Sequence, residues 1–147
     1  MDSKLKFKRV EKLDWVNLGE EQKGYVASSE KVNTMVEQNP NKYLLYDVYQ
    51  NDERIANVVL RFDDGSAFLW DFGIKEEIQR RGYGIQIINQ LSSILADRGV
   101  KTLITTCVYK NKGALKFYRK VGFNVVSEEE FEKNGKMYHE YNLEKSL

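Results

Sequence analysis

The sequence feature that most constrains the fold is a glycine loop, Gln79–Gly84, which lies between a strand-like run and a helix-like run. The residues before it, Phe68–Ile74, are rich in aromatic and apolar side chains, which is typical of a strand. After the loop, isoleucine and leucine recur at helical spacing up to Gly99, where a glycine commonly ends a helix. A β-branched run, Thr102–Val108, follows as a second buried strand. This order favours a sheet with helices on its faces.

The rest of the chain extends the same architecture. A helix is expected after Ser28 or Ser29, and another between Asn111 and Gly122. Further predicted strands are 4–10, Tyr43–Tyr49, Arg54–Phe62, Ala67–Ile74 (which contains the strand before the loop), Phe123–Val126 and Met137–Leu143, the last two joined by an Asn134-Gly135 turn. We therefore expect one α/β domain over residues 1–147. Its predicted sheet is single, mixed and mostly antiparallel, with six or seven strands and about four helices on its faces.

Composition excludes several classes of function. The formal net charge is +1, so there is no global electrostatic reason to expect nucleic acid or an anionic membrane as a partner. The only cysteine is Cys107, which excludes an internal disulfide and a multi-cysteine zinc site. No apolar run approaches the ~20 residues of a membrane helix. We expect a cytoplasmic protein with no metal, no nucleic acid partner and no membrane partner.

The glycine loop has the context of a phosphate site. The first amides of a helix lack intrahelical partners, and the helix dipole favours an anion at that end. Gly82 and Gly84 leave the backbone open to close approach, and Arg80 and Arg81 can add charge-assisted bonds to phosphate oxygens. A purely structural turn is the alternative. The loop matches neither the dinucleotide fingerprint nor the P-loop signature.

A second segment favours the phosphate site over the structural turn. It reads Asn111-x-x-Ala114-x-x-x-Tyr118-x-x-x-Gly122-Phe123, and on its own it would be interpreted as a core stripe containing a tyrosine. With the loop, the chain resembles the GNAT superfamily of N-acetyltransferases. Q-R-R-G-Y-G fits the family's Q/R-x-x-G-x-G/A loop, and N-K-G-A-L-K-F-Y-R-K-V-G-F is similar to its second conserved segment. The resemblance covers at least residues 43–144.

The resemblance implies a binding site for acetyl-CoA as co-substrate. The parallel strands Phe68–Ile74 and Thr102–Val108 would splay apart, and the pantetheine arm would lie between them. The residues implied in cofactor binding are Phe72, Gly73 and Ile74 for the arm, Gln79, Arg80, Arg81, Gly82, Tyr83 and Gly84 for the pyrophosphate, and Asn111 and Ala114 beside the arm.

The resemblance also implies the chemistry. A neutral amine attacks the thioester, backbone amides near Phe72 to Ile74 hold the oxyanion, and Tyr118 protonates the departing thiolate. Many relatives carry a glutamate on the strand before the loop, but this chain has only Asp71 there. Asp71 is a candidate base, with substrate binding and a structural role as alternatives. Cys107 and His139 are expected to be structural.

The acceptor is predicted to be a primary amine, with a small cationic amine such as a polyamine ranked first. The segment 18–30 is loosely similar to bacterial polyamine acetyltransferases of the family. Acids expected to line a cationic groove are Glu20, Glu21, Glu30, Asp47, Asp71 and Glu128–Glu132 (with Phe131), the alternative being solvated surface charge. The other hypotheses are a peptide or protein amine, an aminoglycoside-type amine, and acetyl-CoA sensing without turnover. The protein could also form a homodimer.

Overall fold

The computed structural model describes residues 4–147 and contains one seven-stranded sheet, so residues 1–3 of the predicted domain lie outside the described residues. The strands are β1 (Lys6–Val10), β2 (Tyr43–Gln50), β3 (Glu53–Asp63), β4 (Ser66–Ile74), β5 (Thr102–Val108), β6 (Asn124–Lys133) and β7 (Lys136–Ser146). The helices are α1 (Gly19–Lys23), α2 (Ser29–Gln38), α3 (Tyr83–Asp97) and α4 (Lys112–Lys120), with a 3-10 turn at Glu76–Ile78. None of the described helices is long and apolar enough to cross a membrane.

The sheet has the order β1-β2-β3-β4-β5-β7-β6. Neighbouring strands run antiparallel except β4 and β5, which are parallel because α3 forms the crossover between them. This confirms the predicted mixed, mostly antiparallel sheet with a parallel pair in its middle, and four helices accompany it.

Predicted helix caps are confirmed at two places. The Ser28 side chain accepts a hydrogen bond from the Lys31 amide at 3.1 Å, and Asn111 Oδ1 accepts one from the Ala114 amide at 3.1 Å. Each bond satisfies an amide that has no partner within its helix, which fixes where α2 and α4 begin. The Asn134-Gly135 hairpin turn is also confirmed, since both residues have positive φ, 54° and 75°.

Two elements differ from the sequence prediction. Helix α1 completes the predicted count of about four helices, but its bounds were not predicted, because its five residues carry no apolar period and its N-cap has no side-chain hydrogen bond. Strand β6 extends to Lys133 rather than ending at Val126. Its acidic run pairs residue by residue with β7, and charged side chains are tolerated there because β6 is an edge strand.

The two faces of the sheet carry separate apolar clusters. On one face the buried residues of α3, Ile87, Ile88, Leu91 and Leu95, pack with residues of α4 against the strands. On the other face Val32 of α2 packs with Leu13, Leu45 and Val59. Each such side chain contributes about 1.5–3 kcal/mol when fully buried. The sheet is therefore held rigidly from both sides, and its centre is available to position a site.

Candidate active site

Strands β4 and β5 separate towards their carboxyl ends. Their parallel pairing ends at Phe68 and Ile104, and the Thr105 hydroxyl then donates a 2.9 Å hydrogen bond to the Leu69 carbonyl. Beyond this bond no further register pairs join the two strands in the described chain. The result is a wedge, defined here as the gap between Trp70–Ile74 and Thr106–Val108. It lies where the splayed pair was predicted.

A bulge in β4 determines on which face of the sheet each side chain of this strand lies. Val59 pairs with Asp71 while Leu60 pairs with Leu69, so Trp70 is the extra residue. Residues before and after the bulge consequently reverse their facing. Leu69 lies in the cluster under α3 and α4, whereas Trp70 lies in the cluster under α2.

Tyr118 approaches the wedge from α4. Its ring packs edge-on against Phe72 and Phe123, with ring centroids 6.5 Å and 5.3 Å away. Burial raises the pKa of the Tyr118 phenol well above its usual range, a side-chain hydrogen bond with Thr105 acts in the opposite direction, and the charge of Asp71 raises it further. Tyr118 therefore keeps its proton across the physiological range, so its hydroxyl has a proton to donate.

Asp71 faces the other side of the sheet. Its Oδ2 accepts a 3.0 Å hydrogen bond from the Ala27 amide, just before α2. Burial raises the pKa of Asp71 to about 6, while the Ala27 bond and the charge of Lys31 act to lower it. A carboxyl group with this pKa is ionised at neutral pH yet basic enough to accept a proton, which is the range expected of a general base.

The glycine loop ends at the amino terminus of α3, and its two glycines are required for different reasons. Gly82 is the N-cap residue with φ of +89°, a left-handed conformation, and a Cβ there would meet nothing within 4 Å. Gly84 lies against α4, because a Cβ there would be 2.9 Å from Cε1 of Phe117. Gly82 therefore serves the turn and leaves the helix amides accessible, whereas Gly84 allows α3 and α4 to approach closely.

The remaining loop residues are divided between solvent and the protein interior. Arg80 and Arg81 are exposed, and Arg80 has a positive φ of 66°. The Tyr83 hydroxyl donates a 2.7 Å hydrogen bond to Gln50 Oε1. Gln79 instead turns inward, where its Nε2 donates to the carbonyls of Ile74 and Leu18 at 2.7 Å and 3.0 Å.

The other predicted cofactor residues lie around the wedge. Phe72 and Ile74 pack against the α3 and α4 cluster, and Ala114 joins them from α4. Gly73 is buried, and a Cβ there would be 2.4 Å from Leu18 Cδ2. Asn111 uses Oδ1 for the cap of α4, so its Nδ2 is the atom left to face a ligand.

The acidic residues do not form a single groove as expected. Because side chains alternate along β6, Glu128 and Glu130 face His139, with closest atoms 3.0 Å and 3.7 Å apart, whereas Glu129 points to the opposite face near Asn142. Asp47 is held by Asn57 and Arg54. Of the predicted acids, only Asp71 borders the wedge directly.

Sequence reasoning missed Thr105, Trp15 and Ala27. Thr105 ends the β4–β5 contact, and Ala27 binds Asp71 through its amide and Trp15 Nε1 through its carbonyl at 2.9 Å. Of these three residues, only Thr105 could have been found from the sequence, because a threonine hydroxyl within a buried strand needs a hydrogen-bond partner. Cys107 is buried with a raised thiol pKa, caused mainly by desolvation.

The model of the acetyltransferase (GNAT) family matches residues 8–123. The ribosomal protein bS18-alanine N-acetyltransferase of Escherichia coli K12 is 29% identical over 83 residues, which are 56% of this chain and 56% of that protein. The chain thus spans about half the length of this curated relative.

Solved structures share the fold. A GNAT family acetyltransferase from Elizabethkingia anophelis, solved with acetyl-CoA bound, has a TM-score of 0.72 at 18% identity and covers 99% of this chain and 100% of that one. A spermidine N-acetyltransferase chimera from Vibrio cholerae and hSSAT has a TM-score of 0.73 at 19% identity and covers 98% of this chain and 96% of that one. At these identities the likeness concerns the fold alone.

Proposed function

This chain belongs to the acetyltransferase (GNAT) family, and on that premise we propose that it transfers the acetyl group of acetyl-CoA to a primary amine. The observation that carries the proposal is the wedge between β4 and β5, because an acid and a base border it from opposite faces of the sheet. Tyr118 borders it from α4, and Asp71 borders it from the face covered by α2. We also propose that residues 1–147 act as one acetyltransferase domain in the cytoplasm.

The wedge and the adjacent loop fit an extended thioester carrying a pyrophosphate. The free amides at the start of α3, next to Gly82, suit the pyrophosphate, and Arg80 and Arg81 are exposed beside them. Beyond Leu69 the edge of β4 that faces β5 has no strand partner among the described residues. Backbone groups of Phe72 and Ile74 on that edge, with Gly73 between them, are therefore available to bind the arm, except for the Ile74 carbonyl that Gln79 occupies. Asn111 Nδ2 and Ala114 border the same gap from α4.

The proposed reaction balances with two proton transfers. The amine nitrogen bonds to the acetyl carbon and its proton passes to the Asp71 carboxylate. The carbon–sulfur bond breaks and Tyr118 gives its proton to the thiolate, leaving an amide and a thiol. Proton exchange with solvent then returns Asp71 to the carboxylate and Tyr118 to the phenol. The raised pKa of Asp71, about 6, suits the base, and the raised pKa of Tyr118 ensures that the phenol still carries its proton when the thiolate forms.

The acceptor we propose first is a small cationic primary amine such as a polyamine. Asp71 supplies negative charge at the wedge, and Glu129 lies on the same face of the sheet, on β6, two strands beyond β5, an arrangement that suits an extended cation. The second candidate is a protein amino terminus, which is favoured by the printed activity of the Escherichia coli relative, a ribosomal-protein alanine N-acetyltransferase.

The test is an amine panel with acetyl-CoA, in which released thiol and acetylated amine are both quantified. The panel contains spermidine, a monoamine, an aminoglycoside and a peptide with an amino-terminal alanine. Thiol release above the amine-free blank, matched by acetylated product, is expected for at least one amine. If acetyl-CoA binds but no amine is acetylated, the acetyl-CoA sensor is the correct interpretation.

A further inference from the structure

The side chain of Gln79 connects three parts of the molecule. Its Nε2 donates to the carbonyl of Ile74, the last residue of β4, and to the carbonyl of Leu18, the residue before α1. The backbone of Gln79 leads directly into the loop that precedes α3. One half-buried amide group therefore connects the glycine loop to the end of β4 and to the start of α1.

Other contacts fasten the same end of α1 to the wedge strand. The Glu76 amide donates to the Asn17 carbonyl at 2.8 Å. The Leu18 side chain lies directly on Gly73, where no Cβ intervenes. The position of Leu18 is consequently set by the end of β4 and by Gln79.

The far end of the segment is fastened to the proposed base. The amide of Ala27 donates to Asp71, and its carbonyl accepts from Trp15 Nε1. Between Leu18 and Ala27 lies the strap, defined here as residues 19–26, in which α1 buries no side chain and Tyr25 is 48% exposed. With no core contacts of its own in α1, the strap takes its position largely from its two ends.

We propose that Gln79 is a positioning residue that couples occupancy of the Gln79–Gly84 loop to the placement of the strap, and hence to amine binding. The inference rests on the proposed function. An anion held by the amides next to Gly82 restrains the loop, the restrained loop orients the Gln79 side chain, and its two hydrogen bonds then hold Leu18 in place. Because such coupling is reciprocal, a fixed strap also favours the bound loop.

The test uses coenzyme A itself, which binds without turnover, and amide hydrogen exchange of the strap. In the wild type, adding coenzyme A should slow exchange of residues 19–26. Gln79→Leu keeps the side-chain size but leaves the Ile74 and Leu18 carbonyls without a donor. It should bind coenzyme A within a few-fold of wild type while losing the strap protection. Gln79→Arg retains donors and should restore it.

Kinetics separate positioning from a general loss of structure. Gln79→Leu should raise the KM for the amine by at least about 5-fold and, because the coupling is reciprocal, should weaken acetyl-CoA binding by a similar factor only when amine is present. The matched control is Gln38→Leu, at the exposed last residue of α2, which should behave as wild type.

The outcomes distinguish a failure of the Gln79 coupling from a failure of the proposed function. If coenzyme A binds but the strap of the wild type shows no added protection, or if Gln79→Leu retains that protection, the coupling is wrong while the proposed function stands. If coenzyme A does not bind to the wild type, both are wrong.

Discussion

The Thr105 hydroxyl donates a hydrogen bond to the Leu69 carbonyl one residue beyond the last paired residues of β4 and β5. This bond marks the point at which the two strands part. Thr105 also acts to lower the pKa of the Tyr118 phenol, against the larger effect of burial. Thr105 thus closes the inner end of the wedge beside the proposed acid.

Replacing Tyr118 with phenylalanine removes the proposed acid and keeps the ring that packs against Phe72 and Phe123. The expected result is a fall in kcat of ~10²–10⁴ with little change in acetyl-CoA affinity. Steady-state kinetics and calorimetric titration measure the two quantities. The matched control is Tyr109→Phe, since Tyr109 is 48% exposed and stacks on His139. A kcat within a few-fold of wild type would assign the proton to water.

Replacing Asp71 with asparagine should lower activity and raise stability. Burial holds the pKa of Asp71 at about 6, above its value of about 3.9 in an unfolded chain, so the folded state disfavours the ionised form. Above pH 7 the variant should gain about 1–3 kcal/mol in free energy of unfolding, and the gain should fade as the pH falls from 6 to 4. Its kcat should fall by ~10²–10⁴.

Denaturant unfolding at pH 4 and pH 7.5 and steady-state kinetics check this prediction. The asparagine Oδ1 can still accept the Ala27 amide, so the local structure should persist. A structural role alone would give lower stability in Asp71→Asn at neutral pH with kcat little changed, and that result would remove Asp71 from the chemistry.

The two glycines of the loop should respond differently to substitution by alanine. Gly84→Ala places a Cβ 2.9 Å from the Phe117 ring, and such overpacking costs about 1–3 kcal/mol. Adding Phe117→Leu should recover much of that loss, as measured by a double-mutant cycle of unfolding free energies. Gly82→Ala meets no atom but forces a left-handed φ, at about 1–2 kcal/mol, and Phe117→Leu should not relieve it. Equal recovery at both positions would contradict this division.

The acceptor class can be tested by its dependence on salt. If a cationic amine is the substrate, kcat/KM for spermidine should exceed that for a monoamine and should fall as salt screens the attraction. An exposed ion pair contributes only ~0.2–1 kcal/mol, so a strong preference requires the half-buried Asp71. A clear preference for the peptide with an amino-terminal alanine, with no effect of salt, would favour the protein-substrate candidate instead.

The fold was largely predictable because its signals are local. The caps at Ser28 and Asn111, the Asn134-Gly135 turn and the apolar spacing within α3 all occur within a few residues of sequence. The glycine loop and α3 are also adjacent in the sequence, so a phosphate site at that point could be predicted from the sequence alone.

The facing of Asp71 was not predictable in the same way. Strict alternation from Ala67 and Leu69 would place Asp71 in the apolar cluster under α3. The bulge at Trp70 reverses the alternation, and it exists because β3 pairs on both sides of it. The bounds of α1 were not predictable for a related reason, since Leu18, the residue before it, is held by Gln79, which is far away in sequence.

A crystal structure of the protein with coenzyme A tests the central claim most directly. The account predicts that the arm lies in the wedge with its thiol within hydrogen-bond reach of the Tyr118 hydroxyl, and that the pyrophosphate contacts the amides beside Gly82. Coenzyme A bound outside the wedge, or with its thiol remote from both Tyr118 and Asp71, would contradict it.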